Sequence, residues 1–303
     1  MKQPLRFGIL TLQLLSWPTL VEHWKEVEAL GYDSLWVADH FATSSIPGET
    51  WFDGWTLLPA MATLTSKIRI GTLVTNIIYR HPAVIARQAL TVDHISGGRL
   101  ELGIGATSAR DRAHRMIGIK NWPTAERADR FRETVEIVDL MLRQETTSYA
   151  GRYYRIKEAQ MGPSAIQKPR PPLTIAAHGS ATLKIAAQFA DSWNSYGGFN
   201  ISPKETIAIT RQRNEMLDEN CAKIGRDPGE ILRSFLVGLT ADTPCASLGA
   251  FHDFVGRMQE IGIDEFIFYY DYQDLNPGEG MDRDMLERVA TEVIPAIKAR
   301  MGS

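Results

Sequence analysis

The sequence predicts an α/β fold, a parallel (β/α)8 TIM barrel with an insertion around residues 144–172, on three observations. Short apolar runs suited to buried strands alternate with amphipathic helical stretches, eight of each are found, and no linker or composition shift divides them. Residues 1–303 therefore read as one domain, with a doubly wound open sheet as the alternative topology.

Arg6–Leu12 is the first strand, and Thr19–Leu30 the first helix, with Thr19 as N-cap after Pro18 and a stripe of Leu20, Val21, Trp24, Val27 and Leu30. Gly31 ends that helix and Ser34–Ala38 is the second strand. Trp55–Leu64 is helical and Ile68–Thr75 extended. Ala83–Ile95 is a helix opened by Pro82 and closed by Gly97-Gly98, leading to a strand at Arg99–Ile104. Thr124–Leu142 carries an apolar stripe of Phe131, Val135, Val138 and Leu142, with Asp129, Glu133 and Glu136 on the other face. The Tyr-, Gly- and Pro-rich stretch to Pro172 is the insertion. Strands then fall at Leu173–Ala177, Asp191–Ser195, Ile231–Thr240 and Glu265–Tyr270. Helices fall at Ser180–Ala190, Pro203–Lys223, Ala246–Ile261 and Met281–Arg300.

Composition narrows the function. With 33 Lys and Arg against 36 Asp and Glu the net charge is −3, which lacks the basic excess of a nucleic-acid binder. Hydrophobic content of 44% and charged content of 23% fit a folded globular chain. Cys221 and Cys245 make no disulfide framework and fit no metal spacing. No apolar run approaches the ~18–20 residues of a membrane span. The N-terminal stretch lacks a small-residue cleavage site, so a cytoplasmic protein is expected.

In a (β/α)8 barrel the chemistry sits where strands end. Those positions hold Gln13, Asp39-His40-Phe41, Thr75-Asn76, Gly105-Ala106-Thr107-Ser108, His178-Gly179-Ser180, Asn194, Tyr196 and Tyr270-Asp271-Tyr272. The rim is polar and aromatic, which suits a flat ligand better than a metal. The seven histidines form no metal motif. Gly103-Ile104-Gly105 is too partial for a dinucleotide fingerprint, and its glycines are expected to let backbone approach a ligand. The run His178-Gly179-Ser180-Ala181-Thr182 joins a strand to a helix, so its amides suit an anion; Ser180 could equally be a plain N-cap. His40 is suited to proton transfer, with Asp39 to orient it. His94 reads as structural and His81 as a helix-entry residue. Trp51, Trp55 and Tyr272 are candidate walls for an apolar or aromatic guest.

These residues resemble a known family. Ser34–Phe41 (SLWVADHF), Ile68–Gly105, GRYYRI at Gly151–Ile156, Lys168–Asn194 and GRDPGEI at Gly225–Ile231 resemble the bacterial luciferase-like monooxygenase superfamily, most closely its coenzyme F-420-dependent oxidoreductase branch. The resemblance implies a flavin or deazaflavin in the barrel mouth and a non-proline cis peptide behind the ring, here matching Val74–Thr75. It implies cofactor contacts at Asp39, Val74, Thr75, Asn76, Gly105, Ala106 and Thr107, and a phosphate at His178, Gly179, Ser180 and Ala181. It makes His40 the proton-handling residue. Thr107-Ser108 depart from the family's Gly-Trp or Gly-Glu pair, Ala106 stands where light-emitting luciferases carry a phosphate-binding Arg, and His178 replaces a common Gly.

The expected function is hydride transfer between reduced F-420 and a small organic substrate. Alternatives are an FMN-dependent monooxygenase that uses FMNH2 and O2 with a separate reductase, and a flavin-binding protein without turnover. The family also implies a homodimer.

Overall fold

The computed structural model describes residues 5–42, 50–107, 111, 113–272 and 277–301. In chain order its elements are β1 (Arg6–Thr11), α1 (Trp17–Ala29), β2 (Ser34–Val37), α2 (Gly54–Leu64), β3 (Arg69–Thr72), β4 (Thr75–Asn76), α3 (Pro82–Ile95) and β5 (Leu100–Gly105). There follow α4 (Ala113–Met116), α5 (Thr124–Arg143), β6 (Thr146–Ala150), β7 (Arg155–Gln160), β8 (Leu173–Ala176), α6 (Ser180–Phe189), β9 (Ser192–Ser195) and α7 (Pro203–Lys223). The chain ends with β10 (Leu232–Val237), α8 (Leu248–Gln259), β11 (Glu265–Tyr270), α9 (Arg283–Arg288), a π-helical turn at Val289–Val293 and α10 (Ile294–Met301).

The sheet closes. β1 pairs in parallel with β2 and β11, and the circuit continues β2–β3–β5–β8–β9–β10–β11 without an edge. β3 and β4 are two pieces of one barrel strand, both paired with β5, so the described residues form an eight-stranded parallel barrel inside a ring of helices. This is the predicted fold, with the insertion present as the antiparallel β6–β7 hairpin and the coil after it.

Period-two alternation splits the apolar residues into two cores. The larger lies between barrel and helices and includes Phe7, Phe131, Trp193, Phe251 and Phe268. The smaller fills the barrel with Leu10, Trp36, Leu73, Leu236, Ile267 and Tyr269. Beneath it, at the strand starts, Arg6 contacts Glu101 at 2.6 Å and Glu265 at 3.3 Å, while Arg69 also pairs with Glu101. Sequence reading did not anticipate this buried ionic floor, because its four members come from four strands.

Several local expectations are corrected. α1 is capped by Ser16, whose hydroxyl accepts from the Thr19 amide, because Trp17 and Pro18 already occupy the first turn. Glu133 is buried rather than solvent-facing, since its carboxylate accepts the backbone N–H groups of Arg152, Tyr153 and Tyr154 and so pins the hairpin to α5. The non-proline cis bond is Leu73–Val74, one bond earlier than expected, in the gap between β3 and β4. His94 and His81 hold the predicted structural posts, one bonded to the Ser164 carbonyl and the other capping α3.

Candidate active site

The strand ends are braced by buried polar groups. The Gln13 amide pairs with both backbone groups of Ala38, tying the top of β1 to β2. Asp39, 2% exposed, accepts from the Asn76 amide at 2.9 Å and from Arg80 Nη1 at 2.6 Å. Arg80 also reaches Asp53, the N-cap of α2, at 3.0 Å. Burial raises the Asp39 pKa above the usual carboxylate range even though Arg80 and the Asn76 amide oppose it. Asp39 is therefore a brace across two strand ends, and its carboxylate is engaged away from His40.

His40 is oriented by another carboxylate. Its side chain is 53% exposed, and its Nδ1 lies 3.4 Å from Asp111 Oδ2. Asp111 in turn accepts from the Tyr79 hydroxyl at 3.2 Å and from the Ala113 amide at 2.9 Å. Burial favours its neutral form, but His40, the Ala113 N–H and Tyr79 outweigh that and lower its pKa. Trp51 donates its indole N–H to the His40 carbonyl at 2.6 Å and meets the imidazole edge-on. Trp51, a candidate pocket wall, thus clamps the backbone of His40.

The upper surface of the inner core supplies an apolar mouth. Half-buried Leu12, Val74, Tyr196, Leu239 and Tyr272 pack on that core from above. Val74 lies over β5: a Cβ on Gly103 would collide with the Thr72 carbonyl oxygen, and one on Gly105 with Val74 Cγ2. Both glycines thus leave room for the protein's own chain. Thr75 is fully buried and its hydroxyl bonds Thr72 at 2.7 Å, so Val74, not Thr75, presents a side chain to the mouth. Asn76 is likewise turned inward, accepting from the Ile78 amide.

On the far side, the His178 ring meets Tyr196 edge-on at 4.5 Å. Burial, helped by nearby Arg213, pushes its pKa down to about 3, so it is a neutral imidazole. Its Nε2 is buried without a partner, as is Thr107 Oγ1. Thr107 also has φ +61°, a conformation that a β-branched residue adopts only under constraint. Gly179, not Ser180, is the N-cap of α6; its N–H is taken by the Thr182 hydroxyl at 3.2 Å. Ser180 and Ala181 begin the helix, where amides have no intrahelical acceptor.

Of the predicted residues, the structure gathers Val74, Tyr272, Tyr196 and the inner core at the mouth. Trp55 lies in the outer core, and Ser108 is outside the described residues. Asp111, Tyr79, Arg80, Leu12 and Leu239 were missed. The one legible signal was Asp111, a carboxylate in the loop after a barrel strand. No group of three His, Cys, Asp or Glu among the described residues could hold a metal, and no helix there is long and apolar enough to cross a membrane.

A family model described as luciferase-like monooxygenase matches residues 5–287. An F420-dependent glucose-6-phosphate dehydrogenase of Segniliparus rotundus is 31% identical over 229 residues, 74% of this chain and 64% of that protein. A 5,10-methylenetetrahydromethanopterin reductase of Archaeoglobus fulgidus is 30% identical over 73% of this chain and 60% of its own length. The chain thus spans somewhat under two thirds of these two relatives. A solved F420-dependent secondary alcohol dehydrogenase, in complex with an F420-acetone adduct, superposes with a TM-score of 0.80 at 18% identity, covering 97% of this chain and 99% of that one. At that identity the superposition speaks for the fold.

Proposed function

The chain belongs to the luciferase-like monooxygenase family, and from that premise we propose that it is an F420-dependent oxidoreductase acting on a small organic substrate. The observation that carries this reading is that a relative 31% identical over 74% of this chain is named for its dependence on F420. The FMN-dependent alternative has no such support. The mouth fits the group: an apolar surface at Val74 and Tyr196 suits a planar ring, the unpartnered His178 Nε2 and Thr107 Oγ1 suit its polar atoms, and the amides of Ser180 and Ala181 suit a phosphate.

When bound, a deazaflavin supplies two-electron hydride chemistry. The chain's own part is orientation and proton handling. Val74, packed against Gly105, sets the height of the mouth floor. Thr107 and His178 would hold the deazaflavin's polar edges through their unpartnered Oγ1 and Nε2. His40, with Nδ1 turned to Asp111, offers Nε2 to take or give the proton that accompanies hydride movement. Leu12, Leu239 and Tyr272 keep water from the substrate side.

Fluorescence titration tests the reading. Saturable F420 binding at low-micromolar or better affinity is expected, with His40→Ala slowing turnover more than it weakens binding. Tight FMN binding without F420 binding would overturn it. The reading extends to one domain and a homodimer in the cytoplasm that receives reduced cofactor from a separate reductase; native mass spectrometry checks the assembly.

A further inference from the structure

We propose that Asp111 and Tyr79 are positioning residues that hold His40 in a single tautomer, with the proton on Nδ1 and the Nε2 lone pair open for proton transfer. The proposal deepens the oxidoreductase reading and rests on it for the use of His40, but not for the geometry.

Three observations carry it. First, Asp111 is the carboxylate that faces the ring, with Oδ2 3.4 Å from Nδ1, while the sequence neighbour Asp39 is committed to Arg80 and Asn76. That separation is within ion-pair reach and at the long end for a hydrogen bond. Second, Asp111 is itself fixed. The Ala113 amide holds Oδ1 at 2.9 Å and the Tyr79 hydroxyl holds Oδ2 at 3.2 Å, so its carboxylate plane is set from two sides. Its side chain is only 10% exposed, whereas the imidazole is 53% exposed. The exposed ring is thus anchored through one nitrogen to a rigid, shielded acceptor. Third, His40 is gripped at its backbone by Trp51, which limits the ring to rotation about its own side-chain bonds.

The chemistry follows from lone-pair accounting. An ionised carboxylate only accepts, so the imidazole nitrogen facing it must carry hydrogen. The other nitrogen of a neutral ring is then a base. When that base takes a proton, the imidazolium is stabilised by the same carboxylate, and when it releases one the ring returns to the same tautomer. Tyr79 donates to Asp111 and keeps it an acceptor. The three residues come from the loop after β2, the loop before α3 and the loop after β5.

The test uses the full-length, cofactor-free protein labelled with 15N-histidine. His40 is assigned as the signal set, among seven histidines, that disappears in His40→Ala. Long-range 1H–15N correlations then report which ring nitrogen bears the proton at a pH where the ring is neutral. The wild type is expected to show Nδ1–H at His40. Asp111→Asn keeps the cap on Ala113 but can turn its amide NH2 to the ring, so it should move His40 toward Nε2–H, the form that a solvated imidazole prefers. Asp111→Ala should do the same where it folds, and Tyr79→Phe should give a mixture. Turnover in Asp111→Asn should fall on the order of 10- to 100-fold, with F420 affinity changed less than about threefold; Asp111→Glu should recover part of the loss. A wild-type His40 in the Nε2–H form, or one unmoved by Asp111→Asn, would overturn the proposal whatever the cofactor titration gives. Failure of F420 to bind, with the tautomer result intact, would instead overturn the oxidoreductase reading alone.

Discussion

Val74 Cγ2 occupies the space that a side chain on Gly105 would need, and the Thr72 carbonyl occupies the space beside Gly103. The two glycines therefore differ in what must yield. A methyl at residue 103 meets backbone inside a closed sheet, whereas one at residue 105 meets a side chain that can rotate. Gly103→Ala is expected to prevent stable folding, and Gly105→Ala to destabilise by about 1–3 kcal/mol. Val74→Ala should recover much of the Gly105→Ala loss, a coupling measurable by a double-mutant cycle on urea midpoints.

Removing Arg80 should be costly because it leaves Asp39 shielded and unpaired. Arg80→Met is expected to lose about 3–5 kcal/mol near neutral pH. The loss should shrink on acidification, since burial raises the Asp39 pKa and protonation removes the uncompensated charge. Adding Asp39→Asn to Arg80→Met should restore part of the stability. Equal losses at all pH values in urea titrations would contradict the brace.

Glu265 and His178 drive stability in opposite directions with pH. Burial, aided by Glu101 and opposed by Arg6, pushes Glu265 up to about 7. Its contribution is full below the unfolded value of ~4.3 and is lost as pH rises through 7. His178 is depressed to about 3, so the unfolded chain gains a proton that the folded one refuses, and stability falls as pH drops below ~6.5. Between about pH 5 and 6.5, Glu265→Gln should steepen the loss on acidification and His178→Asn should flatten it. Each slope should change by up to about 1.4 kcal/mol per pH unit. Parallel curves for wild type and variants would reject both assignments.

Thr107 carries a positive φ and a buried hydroxyl with no partner, two penalties at one mouth residue. Thr107→Gly is expected to stabilise the cofactor-free protein by about 1 kcal/mol, the lower end of what such a backbone conformation stores. F420 binding should weaken in the same variant. A variant that is both less stable and equally tight would assign the strain to packing alone.

The barrel was legible because eight buried strands and their helices each leave a local periodic trace. Glu265–Tyr270 and Pro203–Lys223 coincide with the predicted spans residue for residue. Of the candidate site, the sequence places only what a single segment carries, such as the strand-end positions of His40 and Val74. Asp39 stands next to His40 in the chain, which suggests the pairing, yet both lie in the loop after β2 and the Asp39 carboxylate is taken by Arg80 and the Asn76 amide. Asp111, which does face the ring, lies 71 residues on and reaches His40 through the side-by-side pairing of β2, β3 and β5. Glu133 shows the same blindness: helical periodicity put it outside, while a hairpin 19 to 21 residues later covers it.

The strand wall keeps the barrel's own filling apart from the helix-facing core, with Trp36 and Tyr269 on one side and Phe7 and Phe268 on the other. A lineage can therefore retailor which guest the cavity admits without loosening the shell that keeps the chain folded. Selection on appetite and selection on durability then act on separate sets of positions, and a descendant can change its diet while inheriting its skeleton intact.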